Sequence, residues 1–373
     1  MYEYQKEKKR TKEYLKTIFI IILLAVVGLL LYKMYIDIDI QSNSEYTSTK
    51  VSQTTNSNEE KQKDITKTIE QVSETVVGIS KLQDNGSSIF LNNSSKDLAI
   101  GTGIIISEDG YILTNQHVSG NKYSTCYVTL ANGKEYNANV IWEDKDIDLA
   151  IIKINAKSLT YATLGDSDQI NVGEQVYAIG NPIGFEFQRT VTSGIISAKN
   201  RTIKIQEEDK QSYMEDLIQT DATINEGNSG GPLIKPDGTI IGINTIKITT
   251  AEGIGFAIPI NTIKPIISKI QETGTFEEAS LGIFAYDKEV IPYLDSKIEF
   301  ENGIYVAQVI LDGAANKAGV KEGDIITKID NIELNKMSEL RKNIYQKKPN
   351  DEINLTILRN KKTINLTIKL GKK

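Results

Sequence analysis

Cysteine and histidine are nearly absent from this chain: among 373 residues there is one of each, Cys126 and His117. A single thiol excludes an intrachain disulfide. One Cys and one His cannot assemble a Cys/His zinc cluster, and no Asp/Asn/Gly series matches a calcium loop. A GxxxxGK(S/T) phosphate loop is also missing, so the sequence asks for no metal, nucleotide or other cofactor. Excess positive charge is lacking too. The formal net charge is −6 at pH 7, and no basic stripe interleaved with aromatics runs through the long C-terminal portion, which argues against a nucleic-acid partner. What is present, 39% hydrophobic and 25% charged residues, is ordinary for a globular protein. The length points to two or three domains.

The N-terminus departs from this pattern. Residues 17–32 are apolar and carry no charge. A membrane-spanning helix needs about 20 residues, a length reached by continuing to Ile36 if Lys33 snorkels to the interface. Ahead of the run stand six basic residues, Lys6, Lys8, Lys9, Arg10, Lys12 and Lys16, against Glu3, Glu7 and Glu13, whereas Asp37 and Asp39 follow it. The positive-inside rule then predicts residues 1–16 as a basic cytoplasmic segment, 17–36 as a transmembrane signal anchor, and the remainder outside the cytoplasm of a single-pass cell-membrane protein. A cleaved signal peptide would need a small-x-small site after the apolar run, and Tyr35-Ile36-Asp37-Ile38-Asp39 follows instead. A buried core helix fits poorly with the six basic residues.

Residues 37–63 are Ser, Thr, Asn, Gln, Glu and Lys with few apolar anchors. Such a segment buries too little to offset its ordering entropy and reads as a flexible polar stalk. From Asp64 the pattern turns periodic. Ile65, Ile69 and Val72 fall at helical spacing, and Val76–Ile79 open a strand. Ile104–Ile106 and Tyr111–Leu113 flank Ser107-Glu108-Asp109-Gly110, a hairpin signature. Further β-rich runs lie at Tyr127–Leu130, Leu149–Ile154, Gln175–Ile179, Val191–Ala198 and Thr239–Ile246, with no long helical pattern between them. Regular short strands of this kind predict an all-β barrel or sandwich, and the span suits a pair of small barrels. Near residue 275 a second unit begins. Its strands are expected at Gly303–Val306 and Asp324–Ile329, its helix at Met337–Gln346, and its closing strands at Ile353–Arg359 and Thr363–Leu370.

One stretch, Ile224–Leu233 (INEGNSGGPL), is too small and glycine-rich for a core: three glycines within five residues surround Ser229. A serine is a poor nucleophile unless a general base lies within hydrogen-bond reach. His117 is the only imidazole available, and it follows the second hairpin strand, where an exit into a loop could point it into a cleft. Alone, it reads more readily as a histidine satisfied by local hydrogen bonds. A carboxylate should fix its tautomer. Of Asp144, Asp146 and Asp148, the last immediately precedes an apolar run and is expected to be partly buried, the other two to be solvated turn residues. Gly227 permits a strained turn in which its own N–H and that of Ser229 converge on one oxygen, and Gly230 and Gly231 leave room for substrate backbone. Cys126 reads as an ordinary strand residue.

The order His117, Asp148, Ser229 is that of trypsin-like proteases. Residues about 65–260 resemble the protease domain of the HtrA/Deg family, through GTGIIISEDGYILTNQHV, DIDLAIIKI, AIGNPIG, TVTSGIISA, QTDATINEGNSGGPLI, GTIIGINTIK and GIGFAIP. The resemblance implies that His117 is the general base, Asp148 its orienting partner and Ser229 the nucleophile, with the backbone of Gly227, Asn228 and Ser229 as oxyanion hole. It further implies that Asn244-Thr245-Ile246 pairs with substrate and that Gly253–Pro259 border the specificity pocket. Glu226 stands where proline is expected and Ser119 where a second valine is usual. Asn228 replaces the Asp that pairs with a new N-terminus in digestive relatives, which implies activation by loop rearrangement.

Leu281-Gly282-Ile283 and the following GIYVAQVILDGAANKAGVKEGDIITKIDNIEL resemble a bacterial PDZ domain, which captures a peptide C-terminus by strand addition. The resemblance makes Leu281, Gly282 and Ile283 the carboxylate loop and strand edge, facing the Met337–Gln346 helix. The expected protein is thus mainly β: a double β-barrel trypsin-like protease domain at 64–275 and a small α+β PDZ domain at 276–373, preceded by one transmembrane helix. Its implied activity is ATP-independent hydrolysis of unfolded or mislocalised proteins as a homotrimer, with exposed C-termini bound and sensed by the PDZ domain. The competing reading is a non-hydrolytic holdase or peptide-binding module on the same fold.

Overall fold

The computed structural model describes residues 25–30, 32–33, 65–82, 98–121, 125–180, 189–207, 210–225, 227–245, 253–294 and 298–373. The chain divides into two units, 1–62 and 63–373. In the first, residues 25–30 and 32–33 are helical and exposed. Most of the anchor expected at 17–36, together with the segments at 1–16 and 37–63, lies outside the described residues. Among the described residues no helix is long and apolar enough to cross a membrane.

The second unit opens with helix α1 (65–73), as the spacing of Ile65, Ile69 and Val72 predicts. Strands β1 (Val76–Leu82), β2 (Leu98–Ile105), β3 (Tyr111–Thr114), β4 (Thr125–Thr129), β5 (Glu135–Asp144) and β6 (Leu149–Ile154) close a barrel in the order β1-β2-β3-β6-β5-β4. The hairpin pairs as its turn suggests, Ile104 opposite Leu113 and Ile105 opposite Ile112. Strand β6 explains its own unbroken apolar run. Ala150, Ile152 and Ile154 fill the first barrel, while Leu149 and Ile151 join the central cluster outside it. A strand buried on both faces cannot alternate with polar residues.

Strands β7 (Gln175–Gly180), β8 (Thr190–Glu207), β9 (Lys210–Thr220), β10 (Pro232–Ile234), β11 (Ile240–Thr245) and β12 (Gly255–Pro259) close the second barrel in the order β10-β11-β12-β9-β8-β7. Helix α2 (Gln116–Ser119) follows β3, and α3 (Lys264–Thr273) follows β12. Sequence patterning did not suggest α3, although Pro265 near its start, buried Ile266, Ile267 and Ile270, and a left-handed Gly274 after its end are the ordinary signals. Strand β8 also runs far beyond the expected 191–198. Its distal half pairs along β9, with Ile205 in the core and Ile203 packed against it, and only these two apolar residues mark it among polar neighbours.

The C-terminal part has its own core, built from residues 279–370. Its strands are β13 (Ala279–Ser280), β14 (Ile283–Tyr286), β15 (Ile304–Val309), β16 (Ile325–Ile329), β17 (Ile332–Glu333), β18 (Glu352–Arg359), β19 (Lys362–Lys369) and β20 (Gly371–Lys372). The main sheet runs β14-β15-β16-β18-β19, leaving β14 at an edge, and β13 pairs with β20. Helix α4 (Met337–Tyr345) starts where the Glu339 carboxylate accepts from the Asn335 and Lys336 N–H groups, at 2.8 and 3.1 Å.

A β-bulge joins this part to the second barrel. Glu215 and Asp216 together oppose Thr202, with Asp216 at φ +60°, and the extra residue aims both carboxylates at the C-terminal part. Glu215 Oε1 accepts from the Asp287 N–H at 3.1 Å, and Asp216 Oδ1 meets Lys336 Nζ at 3.1 Å. Asp144, expected to be a solvated turn residue, lies 4% exposed instead. It accepts from the Tyr345 hydroxyl at 2.9 Å and from Lys373 Nζ at 3.1 Å, groups 201 and 229 positions away that cover it only in the folded chain.

Burial and the neighbouring Glu215 push the Asp287 carboxyl up to about 8. Its ordinary value is 3.8, so the folded state holds more protons between the two, and stability falls as pH rises through that window. Asp287→Asn keeps the oxygen that accepts from the Met337 N–H and removes the titration. Thermal melting at pH 5 and pH 8 should show a larger fall in midpoint for the parent than for the variant. Equal falls would mean that Asp287 is not the linked group.

Candidate active site

The described part of the site is assembled on both barrels. Strand β3 ends at Thr114, Asn115 is extended at φ −81° and ψ 151°, and α2 carries His117 in its only turn rather than in the expected loop. Asp148 sits between β5 and β6 with φ +53°, a left-handed conformation that Asp tolerates better than most residues. That geometry turns its carboxylate beneath α2. Oδ1 accepts from the His117 N–H at 3.1 Å, and both carboxylate oxygens lie 2.9 Å from His117 Nδ1. Thr245 Oγ1, from the second barrel, donates to Oδ2 at 3.1 Å.

Asp148 is fully buried, and the His117 side chain is 31% exposed. Because a carboxylate facing Nδ1 favours the proton there, Nε2 is left as an acceptor. The imidazole is therefore poised to take a proton from a group on its exposed side.

Ser229 is 2% exposed and lies in a tight turn with Gly227 at φ +98° and Gly230 at φ +81°. The Asn228 side chain braces this turn, accepting from the Asn225 N–H at 2.9 Å and donating to the Thr223 carbonyl at 3.0 Å. Its own N–H is turned to the Asn225 carbonyl at 3.2 Å, which removes it from the oxygen-binding set read from the sequence. Gly230 and Gly231 do not make room for substrate. A Cβ at Gly230 would collide with the Thr102 carbonyl and Thr114 hydroxyl, and one at Gly231 with the Ile179 carbonyl. These glycines let the serine turn press against the protein's own backbone.

Thr102 fixes that contact. Its N–H donates to the Ser229 carbonyl at 2.9 Å and its hydroxyl to the Gly227 carbonyl, while its own carbonyl accepts from Thr114 Oγ1 at 2.7 Å. The chain leading to His117 and the turn carrying Ser229 are thereby joined through one residue. Lys81 Nζ adds a bond to the His117 carbonyl at 2.9 Å. None of these supports was found in the sequence. Thr102 belongs to GTG and Thr114-Asn115 to TNQH, yet no spacing rule relates them to a serine more than a hundred positions away.

Of the proposed substrate strand, Asn244 is fully buried. Its N–H and carbonyl bond Gly231 and Gly230, both at 2.9 Å, and its amide donates to Pro232 at 3.0 Å. Thr245 is likewise buried, on Asp148, and Ile246, like Glu226, lies outside the described residues. Of Gly253–Pro259, β12 pairs with β11 and β9. In the C-terminal part Leu281 is in the core, its carbonyl accepting from Ala315 at 2.8 Å. Gly282 has φ +73° and its carbonyl accepts from Ile310 at 2.9 Å. Ile283 begins the edge strand β14. Cys126 is fully buried on β4, and burial pushes its thiol up to about 11, so it is no nucleophile at neutral pH. Among the described residues, no group of three or more His, Cys, Asp or Glu could hold a metal ion.

Comparison with known proteins returns the same two parts. Residues 101–243 match the family model for a trypsin-like peptidase domain, and residues 241–370 match that for a PDZ domain. The second match begins inside β11, ahead of the sheet that starts at Ala279. A serine protease Do-like HtrA from Lactobacillus helveticus is 38% identical over 302 residues, 77% of this chain and 72% of the relative. A probable periplasmic serine endoprotease, DegP-like, from Rickettsia conorii is 39% identical over 284 residues, 75% of this chain and 55% of the relative. The solved structure of the HtrA-type protease AlgW with a tripeptide superposes with a TM-score of 0.62 at 34% identity, covering 83% of this chain and 97% of that one.

The packing at Gly230 separates two costs. A left-handed non-glycine backbone costs about 1–2 kcal/mol, and overpacking adds about 1–3 kcal/mol. Gly133 shares φ +81° with nothing within 4 Å of a Cβ. In thermal melts Gly230→Ala should therefore lose clearly more than Gly133→Ala. Equal losses would mean that the serine turn is not constrained by Thr102 and Thr114.

Proposed function

The chain belongs to the HtrA/Deg family of trypsin-like serine proteases, and from that premise we propose how its parts work. His117 serves as general base, taking the Ser229 hydroxyl proton at Nε2 as the serine oxygen attacks the scissile carbonyl. The observation that carries this reading is the pairing of His117 Nδ1 with the buried carboxylate of Asp148, 2.9 Å from both oxygens. Asp148 holds the tautomer and stabilises the imidazolium that forms. The backbone N–H groups of Gly227 and Ser229 are assigned to the developing oxyanion, where one donor is worth about 2.7–4 kcal/mol of barrier. The imidazolium then protonates the leaving amine, and water, activated by the same base, releases the acyl group from Ser229.

Substrates in this reading are unfolded or mislocalised proteins, paired as a strand beside Thr245–Ile246. The C-terminal PDZ domain takes exposed C-termini along the edge of β14, at the Leu281-Gly282-Ile283 turn, and gates the protease. The exposed apolar helical residues between Ala25 and Lys33 support a membrane anchor. The periplasmic designation of the DegP-like relative supports an extracytoplasmic protease. A homotrimer completes the proposal.

Hydrolysis of an unfolded protein by the full-length chain, with and without a hydrophobic C-terminal peptide, tests the reading. Ser229→Ala should lower kcat by about 10,000-fold or more, and the peptide should raise the rate of the parent alone. Equal rates for parent and variant would overturn the assignment of Ser229 and favour a peptide-binding module. Membrane fractionation should find the full-length chain in the pellet until detergent is added, and its recovery in the soluble fraction would remove the anchor.

A further inference from the structure

Asn115 has no role in the chemistry so far described, yet it is fully buried immediately before the histidine. Its Nδ2 donates to the main-chain carbonyl of Asp148 at 2.9 Å. The Gln116 N–H makes a second, longer bond to that carbonyl, at 3.2 Å. Among the described residues, the side-chain oxygen of Asn115 has no hydrogen-bond partner. A buried amide with one atom unsatisfied costs stability, and an apolar side chain of similar shape would avoid the cost. Residues that lower stability in this way are concentrated where function requires them.

What Asn115 holds is the left-handed backbone of Asp148. At φ +53° the carbonyl points to the Asn115–Gln116 segment while the side chain reaches under α2 to His117 and Thr245. Without the Asn115 amide, only the longer Gln116 bond is left on that carbonyl, and the peptide is less restrained against rotation toward the extended conformations that a non-glycine residue prefers. Rotation about this backbone moves the carboxylate relative to the imidazole, and displacements near 1 Å cost about a hundredfold in rate.

We propose that Asn115 is a positioning residue: its amide bond to the Asp148 carbonyl sets the backbone conformation that aligns the Asp148 carboxylate with His117 Nδ1. This inference rests on the assignment of His117, Asp148 and Ser229 as the catalytic triad. Asn115 touches neither substrate nor reacting atoms, so its effect should fall on kcat and on the state of the imidazole.

The chain's single histidine makes that state directly readable. With 15N-histidine labelling, both ring resonances belong to His117 and need no assignment. The test compares full-length Asn115→Leu, which removes the donor while roughly keeping the shape, with Asn115→Ala and with Val128→Ala, a core change in the first barrel. Both Asn115 variants should lose about 10–100-fold in kcat with KM within about twofold, and their ring nitrogen shifts should move toward a mixture of tautomers. Val128→Ala should lower the melting temperature and leave kcat and tautomer as in the parent. Asn115 variants that only melt lower, with parental kcat and ring shifts, overturn the proposal; so does a Val128→Ala enzyme that shows the same ring shifts. If one Asn115 variant fails to fold, the other decides. Full activity in Ser229→Ala would mark failure of the triad assignment, whereas inactive Ser229→Ala beside fully active Asn115 variants marks failure of this inference alone.

Discussion

A carboxylate buried at the seam of two barrels is costly unless donors surround it, and the donors around Asp148 come from separate parts of the fold. The backbone of α2 and the imidazole of His117 supply two, and Thr245 of the second barrel supplies another. Each reaches the carboxylate only if its own element is correctly placed. Closure of the first barrel sets the β5–β6 turn, α2 must leave β3 at the observed angle, and the second barrel must dock. The arrangement that orients a general base is therefore also one that penalises misdocking of the barrels.

The serine turn meets the same seam by close backbone approach. Thr102 carries the load from the first barrel, with hydrogen bonds to Ser229, Gly227 and Thr114. Glycine at 230 and 231 is required by this packing, since a side chain at either would strike a main-chain carbonyl. Rigidity of the nucleophile is thus bought with packing, and Asn228 supplies from within the turn the bracing that digestive relatives take from an ion pair.

A second polar seam couples the protease to its C-terminal domain. The β9 bulge presents Glu215 and Asp216, α4 and its approach present Lys336 and Tyr345, and the chain terminus brings Lys373 to Asp144. Aromatic edges strengthen it: Tyr213 lies 6.0 Å from the Tyr286 ring and 5.9 Å from that of Tyr293. Tyr286 belongs to β14, the edge strand proposed to receive peptides, so an event on that strand has a short physical route to β9 of the protease.

Much of this was legible in the chain itself. Short apolar runs located β3 and β6, the SEDG turn registered the first hairpin, and the residue types of TNQHV, DLAIIKI and GNSGGP marked a nucleophile with its base and carboxylate. Strand β5 and the distal part of β8 escaped although Ala138, Val140 and Trp142 of the first and Ile205 of the second lie in the core, because few apolar residues stand among the polar ones in each. Asp144 and Asp146 look alike in sequence, and only the covering Tyr345 and Lys373 separate a buried acid from an exposed one. Periodicity and turn chemistry act over a few residues, so the sequence by itself determined the strands with strong patterns, the chemical inventory and the family. The bonds that position that inventory, Thr245 to Asp148, Thr102 to Ser229 and Asn115 to the Asp148 carbonyl, were decided only by the tertiary structure. A polar side chain is satisfied equally well by water until packing removes the water and selects its partner.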